Sequence, residues 1–146
     1  MKCITPSQND SAAAFQETKS TETVTVICTS FGFKHGPAPE ASLVFDARSF
    51  PNPYYVPELK EHTGLEAAVR DYVFSHADTT VFLDKIYDML AFLLPRYAEK
   101  GSSQLTVAIG CTGGKHRSVA IAEALARRLQ ADGRNVVTVH RDIEKN

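Results

Sequence analysis

Cys111, Thr112, Gly113, Gly114, Lys115, His116, Arg117 and Ser118 follow one another without a break, between the apolar run Leu105 to Ile109 and VAIAEALARRLQ, whose apolar residues recur at helical spacing. A strand that ends in a basic, glycine-containing loop and re-enters a helix is an anion site, because the free backbone N–H groups of the first helical turn point into the loop. Gly113 and Gly114 let successive N–H groups turn inward. Lys115, His116 and Arg117 add charge, and Arg117 offers a planar two-pronged donor. The expected ligand group is a phosphate or a carboxylate; the plainer alternative is a structural glycine-rich turn.

Written as C-x-x-G-x-x-R-S, the residues Cys111, Gly114, Arg117 and Ser118 resemble the phosphate loop of cysteine-dependent phosphatases. In that chemistry a thiolate attacks phosphorus, the arginine clamps the equatorial oxygens and the hydroxyl steadies the leaving sulfur. A thiol at a helix N-terminus beside three basic residues is expected to have a lowered pKa. Gly110, however, stands where most such phosphatases carry histidine. A phosphatase also needs a general acid, and the chain has no W-P-D-like loop; Asp46 is a candidate by topology alone. Catalysis by Cys111 and Asp46 is the alternative to simple binding, and binding without turnover is the expectation.

Other residues bear on the same site. Ser30 closes a strand. His35 lies in a G-F-x-H-G loop, as a ligand contact or as loop packing. Asp46 and Arg48 leave a second strand, either facing the ligand, where a carboxylate would suit an amine, or pairing with each other. Asn52 in FPNP either meets a sugar hydroxyl or caps a turn. Arg141 is a fourth wall of the pocket or a solvated charge, and Arg127 and Arg128 form a solvated helix face.

The elements that must position these residues are legible in outline. VTVICTS, LVFDAR, QLTVAIG and NVVTVH read as strands. Phe31 to Ser42 reads as a loop, and SFPNPYYVPELKEHTG as an irregular excursion that covers the site or a subunit contact. Leu65, Ala68, Val69, Tyr72 and Val73 share one helical face. Val81, Phe82, Ile86, Met89, Leu90, Leu93 and Leu94 share that of a second helix, capped by Asp78 or Thr79, stopped at Gly101 and loosened near Pro95. A third helix spans about His116 to Ala131. The expectation is an α/β fold with a small parallel or mixed sheet of about four strands, helices on its faces, and strand-end loops after Ser30, Asp46, Gly110 and His140 converging.

At 146 residues the chain suits one domain. Residues 1–22, rich in Ser, Thr, Gln and Ala, read as a disordered leader, and 23–146 as a single domain. Sixteen basic against seventeen acidic side chains leave no global field for nucleic acid or anionic membrane, so attraction for anions is local. No segment approaches the roughly 20 apolar residues of a membrane helix, and no signal peptide is visible, which points to the cytoplasm. Cys3, Cys28 and Cys111 match no zinc spacing and read as reduced thiols, Cys28 in the core. No cofactor or metal is expected.

GCTGGKHRSV, together with SFGFKHG, VFDAR, FPNP and TGL in that order, is similar to the C-terminal domain of the RapZ/YvcJ family, over Val24 to about Lys145. The resemblance implies a site for a phosphorylated amino sugar, glucosamine-6-phosphate, and favours His35 as a ligand contact. In the enterobacterial branch it implies a small regulatory RNA as a second partner. The nucleotide-binding P-loop of full-length relatives belongs to a separate N-terminal domain. No G-x-x-x-x-G-K-[ST] occurs here, so nucleotide hydrolysis is not expected. Near-neutral charge and the ending RDIEKN weaken the case for RNA. The expectation is a homo-oligomeric sensor or adaptor for a phosphorylated small molecule.

Overall fold

The computed structural model describes residues 24–38 and 40–145; the leader assigned to residues 1–22 lies outside them. Among the described residues four strands form one sheet: β1 (Thr25–Gly32), β2 (Leu43–Asp46), β3 (Gln104–Cys111) and β4 (Asn135–His140). Three α-helices accompany them among the same residues: α1 (Ala67–Phe74), α2 (Ala77–Glu99) and α3 (Arg117–Ala131). The strand order is β2-β3-β1-β4 and every pairing is parallel. This is an α/β fold with a wholly parallel sheet.

The topology decides which ends meet. Register places Asp46 opposite Gly110, Gly32 opposite Cys111 and Ser30 opposite His140, so all four strands deliver their C-terminal ends to one edge. Both helical connections, β2 to β3 and β3 to β4, run in the same direction across the sheet. Right-handed crossovers therefore put α1, α2 and α3 on a single face. Val26, Cys28, Leu105, Val107 and Ile109 of that face form one core with Val69, Ile86, Leu90, Ile121 and Leu125 of the helices. Truncating a buried leucine such as Leu90 or Leu125 to alanine is expected to cost about 2–5 kcal/mol. The β1–β2 connection runs the opposite way and crosses on the other face, where Phe33 lies against the Cα of Gly110. Val44, Val137 and Val139 on that face stay exposed.

Several element boundaries differ from the sequence expectation. β1 runs on through Phe31 and Gly32, because parallel pairing with Gly110 and Cys111 continues the ladder past Ser30. Phe33–His35 then forms a short 3-10 turn. Helix α2 is flanked at its start by His76, without a side-chain cap, so neither Asp78 nor Thr79 is the cap; Asp78 lies in the first turn, where its charge suits the dipole. Its buried face is Thr79, Leu83, Ile86, Leu90 and Leu94, while Val81 and Met89 are exposed. Leu65 is likewise exposed and precedes α1. The helix continues through Pro95 to Glu99, and Gly101, at φ +81°, ends it. Among the described residues no helix is long and apolar enough to cross a membrane.

Candidate functional site

A cavity of about 420 Å³ opens at the C-terminal edge of the sheet. Each of the four strand-end loops contributes: Lys34 after β1, Asn52 to Glu61 after β2, Cys111 to Arg117 around the end of β3, and Lys145 after β4. This edge is where open parallel sheets place ligands. The proline-rich excursion does cover the site, through Asn52, Tyr54, Tyr55, Lys60 and Glu61.

The floor is the loop between β3 and α3. Gly114 adopts φ +81°, and a Cβ there would meet Gly32 N at 2.6 Å. A Cβ on Gly32 would lie 2.4 Å from the carbonyl carbon of Gly113. Two glycines thus let the β3–α3 loop rest directly on the end of β1, and Lys34 N–H donates to the carbonyl of Thr112 at 3.1 Å. Gly64 is a third close approach, under the start of α3: its N–H donates to the Lys115 carbonyl at 2.8 Å. Among the described residues, nothing accepts the backbone N–H groups of Gly113, Gly114, Lys115, His116, Arg117 or Ser118, and His116, at the helix entry, makes no side-chain cap. The first N–H groups of a helix have no intrahelical acceptor, and a run of them beside a cavity is the construction that holds an anion.

Arg117 is almost fully buried and lines the cavity, but not as a free fork. Its Nη1 donates to the carbonyls of Arg48 and Phe50, both at 2.8 Å, and so braces the chain leaving β2. Nη2 makes a long contact of 3.4 Å with Thr112 Oγ1, and Nε has no partner. One edge of the guanidinium is structural, and on the other Nε is buried without a partner. His116 donates from Nε2 to the Lys60 carbonyl at 3.1 Å. Burial lowers its pKa, partly offset by hydrogen bonds to backbone carbonyls, and the adjacent Lys115 and Arg117 act in the same direction as burial. Cys111, buried at the end of β3, donates its thiol to Ser118 Oγ at 3.1 Å.

Of the residues read from sequence, Asn52, Cys111, Thr112, Gly113, Lys115, His116 and Arg117 line the cavity. Gly114 and Ser118 support the loop from behind. The others are placed elsewhere. Asp46 and Arg48 pair with each other at 2.7 Å, with Arg48 stacked on Phe33, and neither lines the cavity. The hydrogen bond from Arg48 lowers the Asp46 pKa, so this carboxylate is ionised at neutral pH and does not suit the general-acid role. Asn52 Oδ1 accepts from Tyr54 N–H at 3.0 Å and therefore caps a turn as well as lining the wall. His35 sits in the 3-10 turn beside the cavity rather than in its lining, with Nε2 buried and unpartnered.

Arg141 is a clasp and not a wall: it pairs with Asp142 and donates to the carbonyls of Pro37 and Gly36. Ser30 is buried and donates to His140 Nδ1 at 2.6 Å, while His140 Nε2 donates to Glu123 at 2.7 Å. The order of groups is that of a hydrolase triad, but Ser30 has no exposed surface, so the chain ties β1, β4 and α3 together. Arg128 pairs with Asp84 at 2.5 Å and stacks on Tyr87, and Arg127 lies 3.8 Å from Glu123.

Sequence reasoning missed Lys34, Tyr54, Tyr55, Lys60, Glu61 and Lys145 as lining residues. It also missed Asp142, which accepts from Gly32 N–H, Arg141 and Lys145 beneath the loop. Lys34 lies within SFGFKHG, and Tyr54, Tyr55, Lys60 and Glu61 lie within SFPNPYYVPELKEHTG, the stretch expected to cover the site or a subunit contact; Asp142 and Lys145 carry no local signal.

Residues 24–144 match the RapZ C-terminal domain as a family. The chain belongs to that family. The RapZ C-terminal-like chain is 55% identical over 113 residues to a protein of Finegoldia magna, covering 77% of this chain and 40% of that one. It is 54% identical over 120 residues to one from Anaeromyxobacter dehalogenans, 82% and 41% covered, and 51% identical over 132 residues to one from Caldicellulosiruptor saccharolyticus, 90% and 45% covered. Each is named a nucleotide-binding protein. The chain spans less than half the length of these relatives.

Proposed function

We propose that this RapZ C-terminal-like domain binds the phosphoryl group of a small, sugar-like metabolite in the loop from Thr112 to Ser118 and serves as a sensor or adaptor. The observation that carries this reading is the run of backbone N–H groups from Gly113 to Ser118 without an acceptor among the described residues, next to the unpartnered Nε of buried Arg117. Such donors favour a tetrahedral anion over any neutral group. The cavity is of a size ordinary for a small metabolite. An RNA partner would need Lys115, Arg117, Arg127 and Arg128 to form a basic stripe shared between subunits, and three of these are engaged or buried: Arg117, Arg127 and Arg128. Isothermal titration with orthophosphate and a panel of sugar phosphates tests the proposal; the absence of binding by all of them would overturn it.

A second reading, a cysteine-dependent phosphatase, is favoured by the Cys111 to Ser118 hydrogen bond and by Glu61, a carboxylate on the cavity wall that Asp46 is not. Wild-type protein is expected not to hydrolyse a generic aryl phosphate, and Cys111→Ser to bind sugar phosphates nearly as well as wild type. Metal-independent phosphate release that disappears in Cys111→Ser and falls in Glu61→Gln would establish the enzyme instead.

A further inference from the structure

Helix α2 turns Leu83, Ile86, Leu90 and Leu94 into the core, yet its opposite side is not an ordinary polar face. Val81, Met89 and Phe92 are 49%, 45% and 55% exposed there. At 3.6 residues per turn, Asp78, Val81, Lys85, Asp88, Phe92 and Arg96 fall within an arc of about 100° that also holds Met89 and lies straight across the helix from the buried row. All six are exposed. From Asp78 to Phe92 they recur at alternating intervals of three and four residues, the spacing of a seam between two helices.

The order of charges along this row is informative. Among the described residues none of Asp78, Lys85, Asp88 and Arg96 pairs with an opposite charge of its own chain. Arg96 lies over the Phe92 ring, 3.8 Å from its centroid, and donates from Nη1 to the Phe92 carbonyl at 2.7 Å. From Asp78 to Arg96 the row reads acid, apolar, base, acid, apolar, base. Turned end for end, it complements itself: Asp78 meets Arg96 of a second copy, Val81 meets Phe92, and Lys85 meets Asp88. A two-fold axis at the level of Ile86 and Tyr87 makes each of these contacts twice. A parallel arrangement would set every charge against its like. The charges of the row also cancel, so a partner of a single sign gains nothing from it.

We infer that the outer face of α2 is the contact between two copies of this chain, packed antiparallel along the row from Asp78 to Arg96. None of the residues lining the cavity belongs to α2, so this contact does not rest on the phosphoryl-site reading. A seam of about five helical turns is small for a specific interface, which sets the expected dissociation constant at about 1–100 μM.

Sedimentation equilibrium of the full chain, from well below that range to well above it, tests the contact. Wild type is expected to pass from one chain to two. Phe92→Asp should weaken association at least about tenfold, because a carboxylate replaces the apolar contact with Val81 in both halves of the seam. Lys85→Glu should weaken it about three- to tenfold by facing Asp88 with a like charge twice. The double variant Lys85→Glu, Asp88→Lys restores opposite signs and should return to within about twofold of wild type. Val137→Asp, on the exposed face of the sheet, should leave association unchanged. All these positions are exposed, and thermal melts check that each variant stays folded. Single chains at every concentration, association that survives Phe92→Asp, or a double charge variant as weak as Lys85→Glu would each overturn the antiparallel α2 contact.

Discussion

The buried carboxylate of Asp142 accepts the backbone N–H of Gly32 at 2.7 Å, which joins the chain after β4 to the end of β1 directly beneath the anion loop. Its Oδ1 also holds Lys145 at 2.8 Å, and both oxygens bond Arg141. Burial alone would raise this carboxyl's pKa, but hydrogen bonds from Arg141, Lys145 and Gly32 outweigh it and hold the group well below the usual carboxylate range.

A carboxyl whose folded pKa is depressed stabilises the fold above its unfolded pKa of about 3.9 and loses that contribution as pH falls below it. Asp142→Asn keeps the shape and removes the charge. It is expected to lower stability at pH about 7 by roughly 1.5–3 kcal/mol and to flatten part of the acid limb. Urea denaturation across the acid range checks this. Equal stability of variant and wild type at neutral pH would show that the Gly32 latch does not depend on charge.

Arg117→Ala removes both the brace on the Arg48 and Phe50 carbonyls and a cation from the cavity lining. Phosphate affinity should fall by at least about tenfold, and stability by about 1–3 kcal/mol, because two partly buried carbonyls lose a charged donor. Arg128→Ala breaks an ion pair that is 40% and 52% exposed on its two sides, so stability should change by no more than about 1 kcal/mol and affinity not at all. Calorimetric titration and thermal melts on both variants give the comparison; matched losses in affinity would place the anion elsewhere.

His116 has its pKa lowered, chiefly by burial, so the folded protein binds fewer protons than the unfolded chain in the range where free histidine titrates. Stability should therefore be full above pH about 6.5 and decline as pH drops below it. His116→Gln retains a donor toward the Lys60 carbonyl but does not titrate. Denaturant midpoints at pH about 5.5 and about 7.5 should differ more in wild type than in the variant, and parallel curves would remove His116 from the account.

Three glycines, one in the anion loop, one beneath it and one far from it, can be graded. Gly133 sits at φ +84° with open space around its missing Cβ, so Gly133→Ala should cost only the left-handed strain, about 1 kcal/mol. Gly32→Ala drives a methyl to 2.4 Å from the Gly113 backbone, and Gly114→Ala combines φ +81° with backbone at 2.6 Å. Both should cost several times more and weaken phosphate binding, since the loop must move off β1. Chemical denaturation ranks the three; a Gly32→Ala as mild as Gly133→Ala would mean that the contact is not tight.

The residues from Leu105 to Ala131 carry their structure locally. An apolar run, two glycines, a basic triplet and helical spacing specify strand, loop and helix through near-neighbour physics, and most of that loop lines the cavity. The four strands were legible for the same reason. Helix α2 was legible as a helix but not in its buried face: its apolar residues cover more than one stripe, and the choice of Leu83, Ile86 and Leu90 over Val81 and Met89 is made by the sheet and α3 packing against it.

The pair Asp46 and Arg48 shows where sequence stops. Both the ion pair and the ligand contact are compatible with D-A-R, and only the path of the chain after β2 points the two side chains at each other. Arg117 lines the cavity, yet half of its guanidinium is spent on carbonyls of residues 48 and 50, which nothing near position 117 announces. The lysines 34, 60, 115 and 145 are far apart in the chain and unremarkable one by one. They share a cavity because four parallel strands in the order β2-β3-β1-β4 end at one edge, a relationship fixed by hydrogen-bonded pairing and crossover handedness rather than by any local run of residues.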